Sequence, residues 1–469
     1  MSSDAGSSRV LRRTRMRVVL VAGLSLLAAL PLALSLKLQA GRPLVTDPGI
    51  RPGAADAGGP LPGLTTNETT VFNDGLSNFT EVRDVQGTIT GNLGLGPLYN
   101  SNQCSSCHIQ PAPGGAGPAS PATNPLFSVY NLDGATNVMP TFETSSGPIL
   151  VPRFPFFSDL VTPDGTVHQL FTITGRSDAS GCSISQPNFT QAQSEGNIAF
   201  RQPIETFGDG FLEIIEDSAL TANMTAECSS TTFGSICGTP NINHHDGTIN
   251  RLGWKAQWRS LYHAASEEEN VEEGVTNEFY PNELNETSGC DFNAVPEDGT
   301  NFNTGIAFDQ FTGSPERMSV FILFSAGPAP VTFNSQAMAG QTEFTSIGCA
   351  QCHTVSFTTP VSQYLPLSQK TVNIYSDLLL HHMGPCLADN VIQGTAQGDM
   401  FRTPPLWGTG KRMWFMHDGI TSNLITAIED HFCNANSQYV ASEANTVINN
   451  YNALTGQQQQ DLLDFLRDL

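Results

Sequence analysis

Two five-residue stretches, Cys104-Ser-Ser-Cys107-His108 and Cys349-Ala-Gln-Cys352-His353, carry the most specific chemistry in the chain. Cysteines three positions apart reach the two vinyl groups of one porphyrin and form thioethers. The histidine that follows then lies beneath the iron as its proximal ligand. At this chain's cysteine and histidine frequencies about 0.005 such matches are expected by chance, and two are present. A redox Cys-x-x-Cys pair or half of a zinc site are the competing readings. Zinc requires two further ligands per motif at ordered spacing, and the sequence offers none. We therefore expect two covalently bound haem c groups, one on Cys104, Cys107 and His108, the other on Cys349, Cys352 and His353. The occupant of each sixth position decides what the irons do. His or Met closes an iron for electron transfer, whereas an open face admits peroxide or dioxygen.

These motifs need elements to hold them. Asn334-Ser335 offers an N-cap, and Ala337, Gly340, Phe344 and Ile347 form one apolar stripe at helical spacing, so a helix is expected to run straight into Gly348-Cys349. At the far end, Thr455-Gly456 precedes Gln457–Leu469, where Leu462, Leu463, Phe465, Leu466 and Leu469 build a second apolar face. Gly340 is small enough to let these two helices cross closely around a haem. Earlier in the chain the best helical stretches are Glu205–Asn223 and Leu252–Gly274. Gly and Pro total 73 residues and charged residues only 14%, which fits a folded chain with much irregular loop. The expected fold class is mainly α: two cytochrome c-like haem domains with long irregular loops and little β.

Residues 1–40 stand apart. Arg9, Arg12, Arg13, Arg15 and Arg17 precede an apolar run from Val18 to Leu36, and Leu38-Gln39-Ala40 resembles a cleavage point. This reads as a secretory signal peptide, with a retained N-terminal membrane anchor as the alternative. Either places the remainder in the periplasm or otherwise outside the cytoplasm. Residues 41–65, rich in Pro, Gly and Ala, read as a flexible linker. Residues 66–330 then hold the first motif and 331–469 the second. The first 40 residues carry six basic groups and one acid, so the remainder has a net charge of −28 against −23 for the whole chain. Such acidity argues against nucleic acid as a partner and would attract a basic redox protein. Six cysteines lie outside the motifs, enough for three bridges, but their spacing does not reveal which pairs form.

Several further blocks resemble the di-haem oxidoreductases related to bacterial cytochrome c peroxidases. They include Leu93-Gly-Leu-Gly-Pro-Leu98, Val167–Gly175, Phe200-Arg-Gln-Pro203 and Asp246–Gln257. Asn270–Glu278, Ser376–Pro385 and Phe401–Trp407, which leads into Met416-His-Asp-Gly419, complete the set. By position, the resemblance implies that Trp254 lies between the two haems and couples them; otherwise it is a core aromatic. It also implies that Glu272 is the distal acid over the open haem; otherwise it is one more solvated carboxylate in the run Glu267–Glu273. His431, 14 residues beyond His417, stands where relatives usually carry the methionine ligand of the second haem. A bis-histidine iron with His353 and His431 follows, with Met383, Met416 and His417 as rivals. Cys386 and Cys433 replace residues that are mostly Gly in relatives, which suggests a bridge between them near that haem; two unpaired thiols are the alternative. No histidine occurs from Ile109 to Pro125, where many relatives carry a ligand that closes the resting first haem. Calcium is common between the haem domains of the superfamily, partly on the main chain near Arg402–Pro405, and is an optional third cofactor here.

The activity this implies is that of a peroxidase-like oxidoreductase. Its second haem would pass electrons from a redox protein, such as a small cytochrome or cupredoxin, to peroxide at the first. A pure electron carrier and an oxidase of an organic or thiol substrate are the competing functions.

Overall fold

The computed structural model describes residues 45–87, 94–118, 123–298 and 313–469. The stretch read as a signal or anchor, and Leu93 of the first family-like block, lie outside the described residues. Twelve helices are seen among the described residues: α1 (Thr66–Phe79), α2 (Cys104–Cys107), α3 (Leu126–Val129), α4 (Phe189–Glu195), α5 (Asp209–Ile214), α6 (Asp217–Ser229), α7 (Leu261–Glu273), α8 (Ser314–Phe324), α9 (Ser335–Ser346), α10 (Leu424–Glu429), α11 (Asn445–Ala453) and α12 (Gly456–Asp468). Short strands pair into five two-stranded antiparallel ribbons. Helix accounts for 29% of the described residues and strand for 10%, so helix is the main regular structure but irregular chain exceeds both. The expectation of a mainly α protein holds only in that coarse sense. The high Gly and Pro content explains the rest, because it favours turns over repeating backbone.

The two helices expected in the second segment form as anticipated. The Asn334 side chain accepts from the Ala337 amide at 2.9 Å and starts α9, and a Thr455–Gln458 capping box starts α12. Their crossing is at Gly340: a Cβ there would lie 1.9 Å from the Asp461 carbonyl oxygen, so only glycine permits the approach. Phe344, Leu462, Leu463, Phe465 and Leu466 fill the seam. The earlier helices depart from expectation. Glu205–Asn223 contains two helices, because Ile215 and Glu216 are extended and Asp217 restarts the turn. In Leu252–Gly274 only α7 is helical; Gly253 and Ala256 have left-handed φ of 80° and 48° and make a tight turn that carries Trp254.

A second close crossing, α1 on α8, is at Gly75, where a Cβ would meet the Arg317 carbonyl oxygen at 2.2 Å. The core around α1, α7 and α8 also takes in Phe357, Leu367, Ile374 and Leu378 from beyond residue 331. The described residues belong to one compact unit, Pro43–Leu469. Residues 45–61 are bonded along its surface rather than hanging free. Asp47 pairs with Arg467 at 2.7 Å, the Arg51 amide donates to Gly410, and Lys411 Nζ donates to the Arg51 and Pro52 carbonyls. A flexible linker therefore does not describe this stretch; backbone and buried ion-pair contacts override its Pro/Gly composition. Among the described residues, no helix is long and apolar enough to cross a membrane.

Candidate functional site

Two cavities flank one tryptophan. The first is built on α2, whose single turn sets Cys104 and Cys107 side by side and delivers His108 at its end. His108 Nδ1 lies 3.2 Å from the Gly115 carbonyl oxygen. A neutral imidazole that donates from Nδ1 leaves Nε2 as a lone-pair donor, the form a metal requires. Burial lowers the His108 pKa and favours that neutral form. Phe79, Trp258, Leu261, Met318 and Ile322 make the cavity's apolar wall. His108 is the one histidine that borders it among the described residues. His168 instead pairs with Asp164 and stacks on Phe154, and His244 and His245 are exposed.

From α7, Glu268 and Glu272, one helical turn apart, border the same cavity, and Arg153 joins them. Asn100 donates to Glu272 at 2.8 Å and fixes one of its oxygens. Burial raises the Glu272 pKa, while Asn100 and Arg153 pull it back. Glu268 is pushed higher, by burial and then by the Glu272 charge. Burial thus raises both members of this hydrogen-bonded carboxyl pair. The Arg153 Nε is buried without a hydrogen-bond partner, and burial brings its pKa down to about 10. The neighbouring acids on the same helix do something else. Glu269 and Glu273 both bind Arg83, at 2.7 and 2.6 Å, and anchor α7 to the start of the domain. Sequence reading had selected Glu272 from this acidic run but missed Glu268 and Arg153. The i, i+4 spacing would have pointed to Glu268; Arg153 comes from a distant ribbon and left no local signal.

The second cavity is built where α9 ends. Gly348, at φ 105°, turns the chain into the Cys349–Gln351 turn, and Phe233 packs where a side chain would stand. His353 Nδ1 lies 2.9 Å from the Tyr375 carbonyl oxygen, and His431 Nδ1 lies 2.7 Å from that of Ala427. Both imidazoles border the same cavity. Burial brings the His353 pKa down to about 4 and also lowers that of His431, so both are neutral near pH 7. Met383, Met416 and His417 border the cavity too. His417 differs in lying flat on Phe401, 4.2 Å between ring centres. Cys386 and Cys433 are joined, as the resemblance implied, and this bridge fastens the loop two residues beyond His431. Cys182 pairs with Cys290 and Cys228 with Cys237, so the four cysteines left free are those of the two motifs.

Trp254 borders both cavities. Its Nε1 donates to the Gln202 carbonyl oxygen at 2.9 Å, and its own carbonyl accepts from the Arg402 amide at 2.8 Å. The cavities enclose about 1200 and 1500 Å³ of atom-free space, including their openings to solvent. Their size, paired free thiols and Nδ1-anchored imidazoles fit a porphyrin in each.

A family model described as "Di-haem oxidoreductase, putative peroxidase" matches residues 158–469, about two thirds of the sequence. The chain belongs to the di-haem oxidoreductase family. Membership implies haem cofactors. The matched region begins after the first motif, so Cys104–His108 stand on their own residues and geometry. No curated protein matches the chain. Among solved structures, hydrazine synthase of Kuenenia stuttgartiensis, pressurised with xenon, is 17% identical over 33% of this chain, with a TM-score of 0.22. The alignment spans about half, 55%, of that protein's length. A MauG-like protein associated with microbial copper homeostasis is 15% identical over 56% of this chain and 89% of its own, with a TM-score of 0.28.

Proposed function

We propose that this family member is an exported di-haem c-type cytochrome that reduces peroxide with electrons from an external redox protein. Cys104 and Cys107 would bind one haem by thioethers with His108 as proximal ligand. Cys349 and Cys352 would bind the other, with His353 and His431 as the residues to hold its iron. Haem so bound supplies electron storage and, where an iron face is open, reactivity toward peroxide.

The chain's own residues supply the rest. Among the described residues, the first cavity is bordered by one histidine and by the Glu268–Glu272 pair, and the second by the imidazoles of His353 and His431. Glu272, oriented by Asn100, takes a proton from peroxide and returns it to the departing oxygen, which is general acid–base catalysis. Glu268 holds the next proton one turn away. Trp254 offers an indole against both cavities, and this is the single observation that carries the reading. Two electrons and two protons convert one peroxide into two waters; bound haems would supply the electrons, and Glu272 with Glu268 handles the protons. Three disulfides support an oxidising, extracytoplasmic location. The acidic remainder supports docking of a basic donor such as a small cytochrome or cupredoxin.

Electron paramagnetic resonance of the oxidised protein tests this. The reading expects one high-spin centre that reacts with peroxide and one low-spin centre that does not. Two low-spin centres under all conditions would leave only an electron carrier.

A further inference from the structure

Beside the second cavity, outside the residues assigned to the haems, three buried side chains converge: Glu227 from the end of α6, and Asp377 and His381 from the segment leading into the Leu380–His382 strand. One ligand atom of each lies within 4.8 Å of the others. They are 6%, 0% and 2% exposed. From their arrangement we infer that Glu227, Asp377 and His381 form a binding site for a divalent transition-metal ion of the zinc class.

The orientation of each group carries the inference. Glu227 Oε1 accepts from Asn223 and from Thr354 Oγ1 at 3.0 Å, whereas Glu227 Oε2 is buried and has no hydrogen-bond partner. Leaving a buried carboxylate oxygen unpaired costs free energy that a cation would recover. Asp377 is held at both oxygens: Oδ1 accepts from the Leu379 amide at 3.0 Å, and Oδ2 lies 2.7 Å from His381 Nε2. His381 Nδ1 lies 2.8 Å from Glu443 Oε2. A carboxylate behind one ring nitrogen, with a second carboxylate at the other, is the support that metal-bound histidines ordinarily have.

Charge agrees with geometry. Three carboxylates surround one imidazole. Without a cation, burial and the Asp377 charge push Glu227 up to about 8. A dication displaces the proton from His381 Nε2, opens its hydrogen bond to Asp377, and offsets two of the negative charges. Imidazole with carboxylates suits zinc and its neighbours rather than calcium or magnesium, which take oxygen alone. Ligand atoms around a tetrahedral zinc lie roughly 3.4 Å apart, so this cluster closes with shifts of about 1 Å. The Cys228–Cys237 bridge, next in sequence to Glu227, fixes the end of α6 that must hold still. An ion here would tie α6 to the second haem segment next to Cys352, whose Sγ is 3.6 Å from His381 Nδ1.

The test uses the full-length protein, dialysed against a chelator and then titrated with zinc chloride alone. Metal analysis after desalting should find one zinc per chain in addition to iron. Anomalous scattering at the zinc edge should place it among Glu227, Asp377 and His381. Glu227→Gln should weaken zinc binding at least a hundredfold, while His245→Gln, at an exposed position, should leave it unchanged. Wild-type protein that retains no zinc, or a zinc peak elsewhere, overturns the proposal, as does equal retention by the Glu227→Gln variant. Since the readout is zinc and its position, the result is independent of whether the haem reading stands.

Discussion

Replacing Glu272 with glutamine probes the proposed chemistry where the structure is most explicit. Glutamine keeps the size of the side chain and can still accept from Asn100, so the fold and cavity should persist. What it removes is a group that can take up and return a proton. Such groups contribute about 10²–10⁴-fold, or roughly 3–5 kcal/mol of barrier. Glu268 stands one turn away, hydrogen-bonded to Glu272, and can relay protons in part. The single substitution should therefore fall near the lower end, about a hundredfold in peroxide reduction, and Glu268→Gln/Glu272→Gln should fall further. The pH profile adds a second readout. Burial raises the Glu272 pKa, and the working form is the carboxylate. Wild-type activity should accordingly decline as pH falls through a value above the ordinary carboxylate range, and Glu272→Gln should lose that limb. The assay is stopped-flow reaction of the reduced protein with hydrogen peroxide across pH. A Glu272→Gln rate within twofold of wild type, with the acid limb intact, would refute the assignment.

Two further substitutions test the framework. Trp254→Phe leaves the Gln202 carbonyl without its 2.9 Å donor and should cost about 1–3 kcal/mol of stability, seen in denaturant unfolding. In the same variant the first site's reaction with peroxide should persist while oxidation of the second slows. Cys386→Ser with Cys433→Ser opens a bridge spanning 47 residues, for which chain entropy gives about 4 kcal/mol. The melting midpoint should drop, and the His431-dependent low-spin signal should weaken first because that loop is released.

What could be read in the sequence was whatever is local. The Cys-x-x-Cys-His motifs are contiguous, as the spacing proposed for one porphyrin would require. The α9 and α12 pair showed in apolar periodicity, and their contact showed in Gly340. Helix breaks were misread where extended residues such as Ile215 and Glu216 interrupt a run with no proline to mark it. The Pro/Gly-rich stretch before Leu61 looked free because its partners, Gly410 and Arg467, are some 360 to 420 residues away. Arg153 and the Glu227–Asp377–His381 cluster escape the sequence for the same reason, whereas Glu268 stands at a legible i, i+4 spacing from Glu272. Nothing near Arg153 or Glu227 in sequence indicates what the fold sets against it. Family-like blocks supplied Trp254, Glu272 and His431, and the structure sets all three against cavities.

The most direct test of the account is the intact mass of the protein, purified from a host that matures c-type cytochromes, combined with its reduced absorption spectrum. The account predicts the mass of the polypeptide plus two haems that survive denaturation, falling to one haem in Cys104→Ser/Cys107→Ser and to one in Cys349→Ser/Cys352→Ser. A mass equal to the bare chain, or haem lost on denaturation, would contradict it.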